Sequence, residues 1–362
     1  MVQDSYFIPT IDELVAAYKK SKWKLIEVLQ ELKGDAKVGI GLGGGSNKFP
    51  LHIGVLKYLE EEGIQIDEII GVSSGAIVGA LYFVFREKYG NLAAHQMESY
   101  LRKLLEGKKL FEFLGLSKLP DKGGFIKPSL IDKVLEENLG DRIFHHATGL
   151  YVVAHDLISR RDIVFGEVEK DYPIRKGVKG SYSIPLFFQP FIDEEKNFVL
   201  VDGGTIRKSP FLDLYSHRLT VRICVFLGYD TAPQLLYPHK VTGWERIRVG
   251  KRLKGALAQD LMGAQMASAD REVHDLKLDA RLTTGRSERE IRDGKQPGLV
   301  LITPNHEYLS LTEGIRPEMV DAGYQAAKKA FEAYRKARPS YIKLIRQGGA
   351  LIGKQNPVLQ KF

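Results

Sequence analysis

Gly71-Val72-Ser73-Ser74-Gly75 is the stretch of sequence that decides the fold of this 362-residue chain. An apolar run at 64–70 precedes it, and a run of small and apolar residues at 76–84 follows it. This pattern predicts a strand, a tight turn and a helix, with Ser73 on the turn. Such a turn lifts a serine hydroxyl clear of its neighbours at a helix N-terminus, where the helix dipole favours negative charge. The sequence therefore makes Ser73 a candidate nucleophile and Gly71 and Gly75 the glycines that the turn needs.

A second glycine-flanked turn lies just before this one. Residues 36–42 are typical of a strand, Gly43-Gly44-Gly45 follow, and Pro50 begins an amphipathic helix that ends at Gly63. Together the two stretches predict a βαβα unit, with both turns at the carboxyl ends of neighbouring parallel strands. The N–H groups of Gly43, Gly44 and Gly45 are suitable donors for an oxyanion hole beside Ser73.

A candidate base occurs much later in the chain. Asp202 ends a predicted strand at 198–201 and is followed by Gly203-Gly204. A carboxylate at the carboxyl end of one strand is well placed to meet a serine at the carboxyl end of another. Asp-Gly is also a common turn dipeptide, so this position by itself is equally compatible with a plain turn.

Composition narrows the class of protein. Hydrophobic residues make up 44% of the chain, which is ample for a folded core, and 53 Lys and Arg against 45 Asp and Glu give a net charge of +8. A cationic surface suits an anionic membrane or nucleic acid, although moderately basic soluble proteins have the same balance. The single cysteine, Cys224, excludes an intramolecular disulfide and favours a reducing compartment. The absence of an N-terminal signal pattern or a long apolar stretch predicts a cytoplasmic protein, or one peripheral at membranes.

Further motifs, in order along the chain, resemble the patatin-like phospholipase family from about Lys37 to about Ala330. They are Gly43-Gly44-Gly45 with Lys48, His52-Ile53-Gly54-Val55-Leu56, Gly71-Val72-Ser73-Ser74-Gly75, Val153-Ala154-His155-Asp156-Leu157, Ser183-Ile184-Pro185, Asp202-Gly203-Gly204 and Gly323-Tyr324-Gln325-Ala326-Ala327. The resemblance implies a three-layer α/β/α sandwich with a central, mostly parallel sheet. It also implies an acyl hydrolase with a Ser-Asp dyad and no catalytic histidine, in which Ser73 is the nucleophile, Asp202 the base and the glycine turn the oxyanion hole. The sequence shows no cluster with metal-ligand spacing, so we predict no metal and no cofactor.

The chain departs from the family pattern around both loops. Ser46 and Phe49 stand where the family commonly has glycines, and Lys48 stands where an arginine is usual. After Asp202-Gly203-Gly204 the chain continues with Arg207 and Lys208. We interpret Lys48, Arg207 and Lys208 as candidate contacts for an anionic head group.

The sequence also predicts how the chain is divided. Residues 1–36 form an N-terminal helical extension, 37–337 form the catalytic domain, and 338–362 form a basic and apolar tail. Within the domain, 241–298 is less like the family and contains a basic helix and a charged insertion. Residues 91–116 and about 317–337 are predicted to be helices.

The favoured function is hydrolysis of phospholipid carboxylic esters, of the phospholipase A or lysophospholipase type, with phospholipid preferred over neutral glyceride because of the charge surplus. An acylglycerol lipase or esterase of the same fold, and a lipid-binding protein without turnover, remain open. A histidine-dependent hydrolase using His217, His239, His274 or His306 is a third alternative. A dinucleotide-binding module would explain the G-x-G-x-x-G pattern at 39–44, but no acidic residue ends the following strand. We predict no nucleic-acid partner, and the oligomeric state is left open.

Overall fold

A computed structural model describes residues 37–105, 116–121, 124–126, 129–185, 188–205, 209–217, 219, 221–227, 288–293, 299–304 and 315–352. Several predicted features lie outside these residues. They are the N-terminal extension at 1–36, the candidate contacts Arg207 and Lys208, the basic helix between 241 and 287, and the last part of the tail, 353–362.

The strands and helices are numbered here in chain order. The described strands are β1 Val38–Leu42, β2 Glu68–Val72, β3 Leu116–Asp121, β4 Gly124–Ile126, β5 Leu150–Asp156, β6 Arg161–Phe165, β7 Phe191–Asp193, β8 Phe198–Asp202, β9 Val221–Val225 and β10 Leu299–Ile302. The described helices are α1 Phe49–Glu61, α2 Ser74–Tyr89, α3 Ala93–Leu105, α4 Ser129–Leu139, α5 Ile174–Tyr182, α6 Phe211–Ser216, α7 Glu288–Arg292 and α8 Glu318–Ile352.

A mixed sheet forms the centre of the molecule. Its strand order is β10-β9-β1-β2-β5-β8-β7, and β6 pairs with β5. The strands from β10 to β5 are parallel, whereas β6, β7 and β8 pair antiparallel with their neighbours. Strands β3 and β4 pair separately. The sheet is therefore mostly parallel, as the sequence predicts.

Helices cover both faces of this sheet because alternate strand residues point to opposite sides. Ile40 and Ile69 belong to the larger apolar cluster, which includes residues of α1, α2 and α8. Ile70 belongs to a second cluster with Phe211 of α6 and Ile291 of α7. The predicted three-layer α/β/α sandwich is thus confirmed.

Backbone contact between α1 and α8 explains two glycines of the sequence motifs. A Cβ atom on Gly54 would overlap the carbonyl oxygen of Val320, and one on Gly323 would overlap the carbonyl oxygen of Leu51. Only glycine permits so close an approach at these two positions. The C-terminal helix is therefore packed directly against the helix that follows the glycine turn.

Three predicted elements have different bounds in the structure. Of the helix predicted at 91–116, the described part is Ala93–Leu105; residues 106–115 lie outside the described residues, and Leu116–Asp121 form β3. The charged loop predicted near 287–294 contains α7, because Ile291 is buried in the second cluster. Helix α8 continues to Ile352 and so crosses the predicted boundary between 337 and 338. In the described part of the chain, no helix combines the length and apolarity needed to cross a membrane.

Candidate active site

Ser73 lies on the strained turn between β2 and α2. Its φ of 54° and ψ of −121° are unusual for a residue with a side chain. The two glycines around it make the turn possible. A Cβ on Gly71 would come within 2.6 Å of the Cα of Ala76, and one on Gly75 would overlap the carbonyl of Leu42. Both flanking glycines are therefore required by close backbone approach, and the serine is held at the N-terminus of α2.

The pairing of β5 with two other strands brings Asp202 to Ser73. Strand β5 pairs with β2 as far as Val153, and from Ala154 onward it pairs with β8. Strand β6 occupies the other edge of β5 over the same residues, so β8 lies on the edge that β2 also uses. On that edge the pairing passes from β2 to β8 between Val153 and Ala154. Strand β8 runs antiparallel to β5, so its carboxyl end meets the carboxyl end of β2 head-on. The register Ala154↔Asp202 thus places the aspartate directly beyond Val72 and beside Ser73.

The two side chains are in direct contact. The hydroxyl of Ser73 donates to Oδ2 of Asp202 at 2.5 Å, and each residue is 4% exposed. The other carboxylate oxygen, Oδ1, accepts from the N–H of Gly204 at 2.6 Å. The backbone N–H of Asp202 donates to the carbonyl of Ser183 at 2.9 Å. These bonds orient the carboxylate with one oxygen towards the serine, which is the arrangement that a general base requires.

Ser181 is a residue of the site that the sequence did not indicate. Its hydroxyl accepts from the N–H of Ser73 at 2.9 Å and donates to the carbonyl of Val153 at 2.6 Å. It is fully buried near the end of α5. The only sequence signal is that small residues recur at Gly177, Gly180 and Ser181; a Cβ on Gly180 would lie 2.6 Å from a side-chain carbon of Leu200 in β8, so glycine there lets this helix lie close to the sheet. Ser181 therefore positions the backbone of the strained turn.

Replacing Ser181 with alanine is expected to lower kcat about 10-fold to 100-fold with little change in KM. The change leaves the N–H of Ser73 without its acceptor, so the serine hydroxyl loses its alignment with Asp202. Steady-state kinetics on a soluble ester measure this. Ser183→Ala is the matched control, because among the described residues the Ser183 hydroxyl bonds to the carbonyl of Lys179 and not to the turn. Equal losses of kcat in both variants would contradict a positioning role. So would a loss in Ser181→Ala that disappears when the fraction of folded protein is restored.

The glycine turn offers two of the three predicted donors. The N–H of Gly43 is already bonded to the carbonyl of Val225 at 3.0 Å, so the prediction that Gly43 contributes to an oxyanion hole is wrong. Among the described residues, no acceptor pairs with the N–H groups of Gly44 and Gly45, or with that of Ser74 at the start of α2. These three groups are the available donors near Ser73.

His52 holds the glycine turn through a hydrogen bond. Its Nε2 donates to the carbonyl of Gly43 at 2.8 Å, and the ring is completely buried. Burial lowers the pKa of His52 from 6.5 to about 4, against a smaller upward effect of the Gly43 bond. The imidazole is thus neutral at physiological pH, with its proton on the nitrogen that holds the turn.

Protein stability is expected to fall as pH decreases below about 6.5, because the unfolded chain binds a proton at His52 that the folded chain binds only near pH 4. Between pH 7 and pH 5 this one group removes about 2 kcal/mol from the free energy of unfolding. Urea denaturation of the wild type and of His52→Gln at both pH values isolates the contribution. An equally large loss in the variant would show that other groups are responsible.

The remaining predicted residues lie as follows. Lys48 is 1% exposed and its ammonium group donates to the carbonyl of Leu227 at 3.2 Å, so it faces the protein interior rather than a head group. His217 pairs with Glu68 at 2.6 Å, at the end of β2 that is remote from Ser73. His155 pairs with Asp162 at 2.8 Å. His239, His274 and His306 lie outside the described residues. Within the described chain, Asp202 is thus the ionisable side chain bonded to Ser73, and no group of three His, Cys, Asp or Glu residues could hold a metal ion.

An apolar cavity begins at Ser73. It encloses about 880 Å³, including the part open to solvent, between α1, α2, α3, α4 and the segment after α5. Its lining residues are Asn47, Phe49, Ile53, Ser73, Ser74, Ile77, Val78, Leu81, Phe85, Met97, Tyr100, Leu101, Leu104, Ile131, Val134, Tyr182, Ile184 and Phe188. Tyr182, Ile184 and Phe188, at the end of α5 and after it, thus contribute to the apolar lining.

The strained serine turn and the comparisons with known proteins point to one class of protein. A serine on a strained strand-to-helix turn at the edge of an α/β/α domain is characteristic of serine ester hydrolases as a class. Residues 41–215 match the family described as Patatin-like phospholipase. The resemblance inferred from the motifs is therefore confirmed over these residues.

Curated relatives include Neuropathy target esterase sws of Drosophila melanogaster, 23% identical over 83% of this chain and 20% of that protein. Patatin-like phospholipase domain-containing protein ZK370.4 of Caenorhabditis elegans is 29% identical over 49% of this chain and 12% of that protein. The chain thus spans a fifth or less of these relatives. Among solved structures, VipD from Legionella pneumophila matches with a TM-score of 0.40 and 12% identity over 83% of this chain and 67% of that one.

Proposed function

We propose that this chain is a serine-dependent lipid acyl hydrolase that cleaves carboxylic ester bonds of phospholipids. The observation that carries the proposal is the 2.5 Å hydrogen bond from Ser73 to Asp202 at the entrance of an apolar cavity. Its match to the Patatin-like phospholipase family and its relatives named as an esterase and as a phospholipase domain protein support the same class of reaction.

The proposed reaction has two halves. Asp202 takes the hydroxyl proton of Ser73 as the oxygen attacks the ester carbonyl, and the alcohol leaves with that proton, which gives an acyl-enzyme. Water then attacks the acyl group while Asp202 again accepts a proton, and the fatty acid is released as Ser73 is regenerated. In both halves the N–H groups of Gly44, Gly45 and Ser74 stabilise the oxyanion.

The substrate class follows from the chemistry of the site. An ester releases an alkoxide, which is a better leaving group than an amine, and the cavity lining is almost entirely apolar. We assign the activity to the phospholipase A or lysophospholipase type because the chain carries a net charge of +8, which favours an anionic head group. Neutral acylglycerol is the second candidate, since neither Ser73 nor the cavity requires a phosphate.

Covalent labelling tests the proposal. A fluorescent fluorophosphonate is expected to label the wild type and not Ser73→Ala, because only an activated serine reacts with it. Incubation with a mixed phospholipid and triglyceride extract, followed by lipid mass spectrometry, is expected to release fatty acid and lysophospholipid. A folded wild type that neither binds the probe nor releases fatty acid would favour a lipid-binding protein. Release from triglyceride alone would favour the acylglycerol lipase.

We also propose peripheral contact with an anionic membrane through the edge of the sheet nearest Ser73. The segments around β5, β6, β7 and β8 extend about 10 Å past Asp202, since Leu157 follows Ala154 by three strand residues. Leu157 and Ile158 are 47% and 51% exposed, and Ile192 is 62% exposed. Leu157 and Ile192 are both neighbours of Val199, and Arg160 and Arg161 are exposed beside them. The combination of apolar and cationic side chains fits a lipid surface.

A Leu157→Glu/Ile192→Glu double variant is expected to bind vesicles of phosphatidylcholine and phosphatidylglycerol at least about fivefold more weakly than wild type, as apolar contact is lost. Vesicle sedimentation measures binding, and hydrolysis of a soluble short-chain ester should be unchanged. Leu92→Glu is the control, because Leu92 is 57% exposed beyond the opposite end of α2. If the double variant and Leu92→Glu both bind vesicles as tightly as the wild type does, this edge of the sheet is not the membrane contact.

A further inference from the structure

The cavity at Ser73 has a polar end and an apolar body. Asn47, Ser73 and Ser74 supply its polar groups near the candidate nucleophile. The two tyrosine hydroxyls of the lining are engaged elsewhere. That of Tyr182 donates to Asp132 at 2.5 Å, and that of Tyr100 accepts from Asn138 at 3.3 Å. Burial, together with Asp132, also raises the pKa of Tyr182 well above its usual value, so its hydroxyl stays neutral. Beyond Ser74, the walls therefore offer a substrate apolar surface and no charge.

One face of α2 forms the length of this cavity. The lining residues Ile77, Leu81 and Phe85 follow Ser73 at intervals of four, so each is about one helical turn deeper than the last. From Ser73 to Phe85 the helix rises about 18 Å, at about 1.5 Å per residue. The hydrocarbon half of a bilayer, which one long acyl chain spans, is about 15 Å thick. The run along α2 therefore matches the length of a long acyl chain.

Packed side chains surround the far end of this run. Phe85, Met97 and Leu101 are 7%, 4% and 3% exposed. The ring of Phe85 contacts that of Tyr100, with centroids 5.8 Å apart. An apolar chain that enters at Ser73 would meet these side chains after about three turns of α2. A boundary at a fixed depth can discriminate between chains of different length.

We propose that the face of α2 formed by Ile77, Leu81 and Phe85 sets the acyl-chain length that the site accepts. The inference rests on the proposed function. The chain that is cleaved lies along α2 with its carbonyl carbon at the Ser73 hydroxyl and its methyl end near Phe85. Long-chain esters gain about fourfold in kcat/KM for each additional buried methylene group until the chain reaches Phe85, after which the gain stops.

Enlarging the middle residue tests the proposal. Leu81→Phe is expected to block the deep half of the cavity, so that kcat/KM for palmitoyl lysophosphatidylcholine falls at least about tenfold. With p-nitrophenyl butyrate, whose chain ends before Leu81, the change should be within about twofold. Phe85→Ala should instead shift the preferred length to longer chains. Val84→Phe is the matched control, because Val84 lies on the same helix, packs against the core and is not part of the lining.

The outcome separates the length inference from the proposed function. If the wild type is active and Leu81→Phe reduces all chain lengths equally, the length inference is wrong while the hydrolase proposal stands. If no ester is cleaved, the hydrolase proposal fails. The binding of fatty acids of different length then tests the length inference without turnover. In the Ser73→Ala protein, calorimetry with butyrate, octanoate and palmitate should show affinity rising with length, and Leu81→Phe should abolish the increase for palmitate. Affinities independent of length would overturn the inference.

Discussion

Replacing Ser73 with alanine is expected to lower kcat about 10⁶-fold, and Asp202→Asn is expected to lower it about 10³-fold to 10⁴-fold. The first change removes the attacking oxygen. The second keeps the shape of the side chain, including an oxygen that accepts from Gly204, but places an amide N–H where Oδ2 accepts from Ser73. The serine proton then has no base to receive it. Steady-state hydrolysis of a soluble ester measures both variants.

The double variant distinguishes cooperation from independent effects. If the two residues act as one unit, Ser73→Ala/Asp202→Asn should be no less active than Ser73→Ala alone, since the loss is not additive. Circular dichroism and thermal unfolding should show both proteins folded. Near wild-type activity in Asp202→Asn would exclude Asp202 as the base and would favour the histidine-dependent alternative. Three of the candidate histidines for that alternative, His239, His274 and His306, lie outside the described residues.

Gly75→Ala is expected to cost about 3 kcal/mol or more of the free energy of unfolding and to abolish activity. The new methyl group would overlap the carbonyl oxygen of Leu42 and would lie 2.8 Å from that of Gly43. Both are backbone atoms, so the clash is relieved only if α2 or the end of β1 moves. The same movement would displace the glycine turn from Ser73. Thermal unfolding should show a midpoint lowered by roughly 10 °C.

Gly79→Ala, one turn along the same helix, is the matched control. Its methyl group would lie 2.9 Å from a side-chain carbon of Ile69, which can shift, and 3.6 Å from one of Leu42. Removing a glycine from the helix interior also favours the helix by up to about 1 kcal/mol, so we expect stability near that of wild type. Destabilisation of both variants to the same extent would mean that helix packing in general, rather than the contact at Leu42, is limiting.

Local patterns were sufficient to predict most of the fold. The alternation of apolar runs, glycine turns and amphipathic helices gives β1 and α1 within two residues of their observed bounds, and it predicts β2 and α2 on either side of Ser73. The nucleophile turn is predictable because its strain needs glycine at fixed positions, here Gly71 and Gly75. The sequence therefore predicts the two residues that meet in the site, Ser73 and Asp202, and places both at strand ends.

What the sequence could not provide depends on pairing between distant segments. The head-on approach of β8 to β2 follows from the register of β5, which no local pattern encodes. The bond from Gly43 to Val225 joins the glycine turn to the end of β9, 182 residues later, so the sequence could not show that the Gly43 N–H is already bonded. Ser181 carries no motif, and its importance comes only from its position between Ser73 and Val153. Lys48 was expected to contact a head group because it stands where the family usually has an arginine, but it is buried, and burial of a lysine is rare enough that no local pattern predicts it.

The shared edge of β5 makes the spacing between Ser73 and Asp202 insensitive to the length of the intervening chain. Val153 and Ala154 are consecutive residues, and each pairs with the strand that carries one member of the couple. The backbone of β5 therefore sets the distance between Ser73 and Asp202, independently of the lengths of the connecting loops. We expect the turns at 157–160 and 194–197 to accept inserted peptides, such as epitope tags, without loss of turnover on soluble esters.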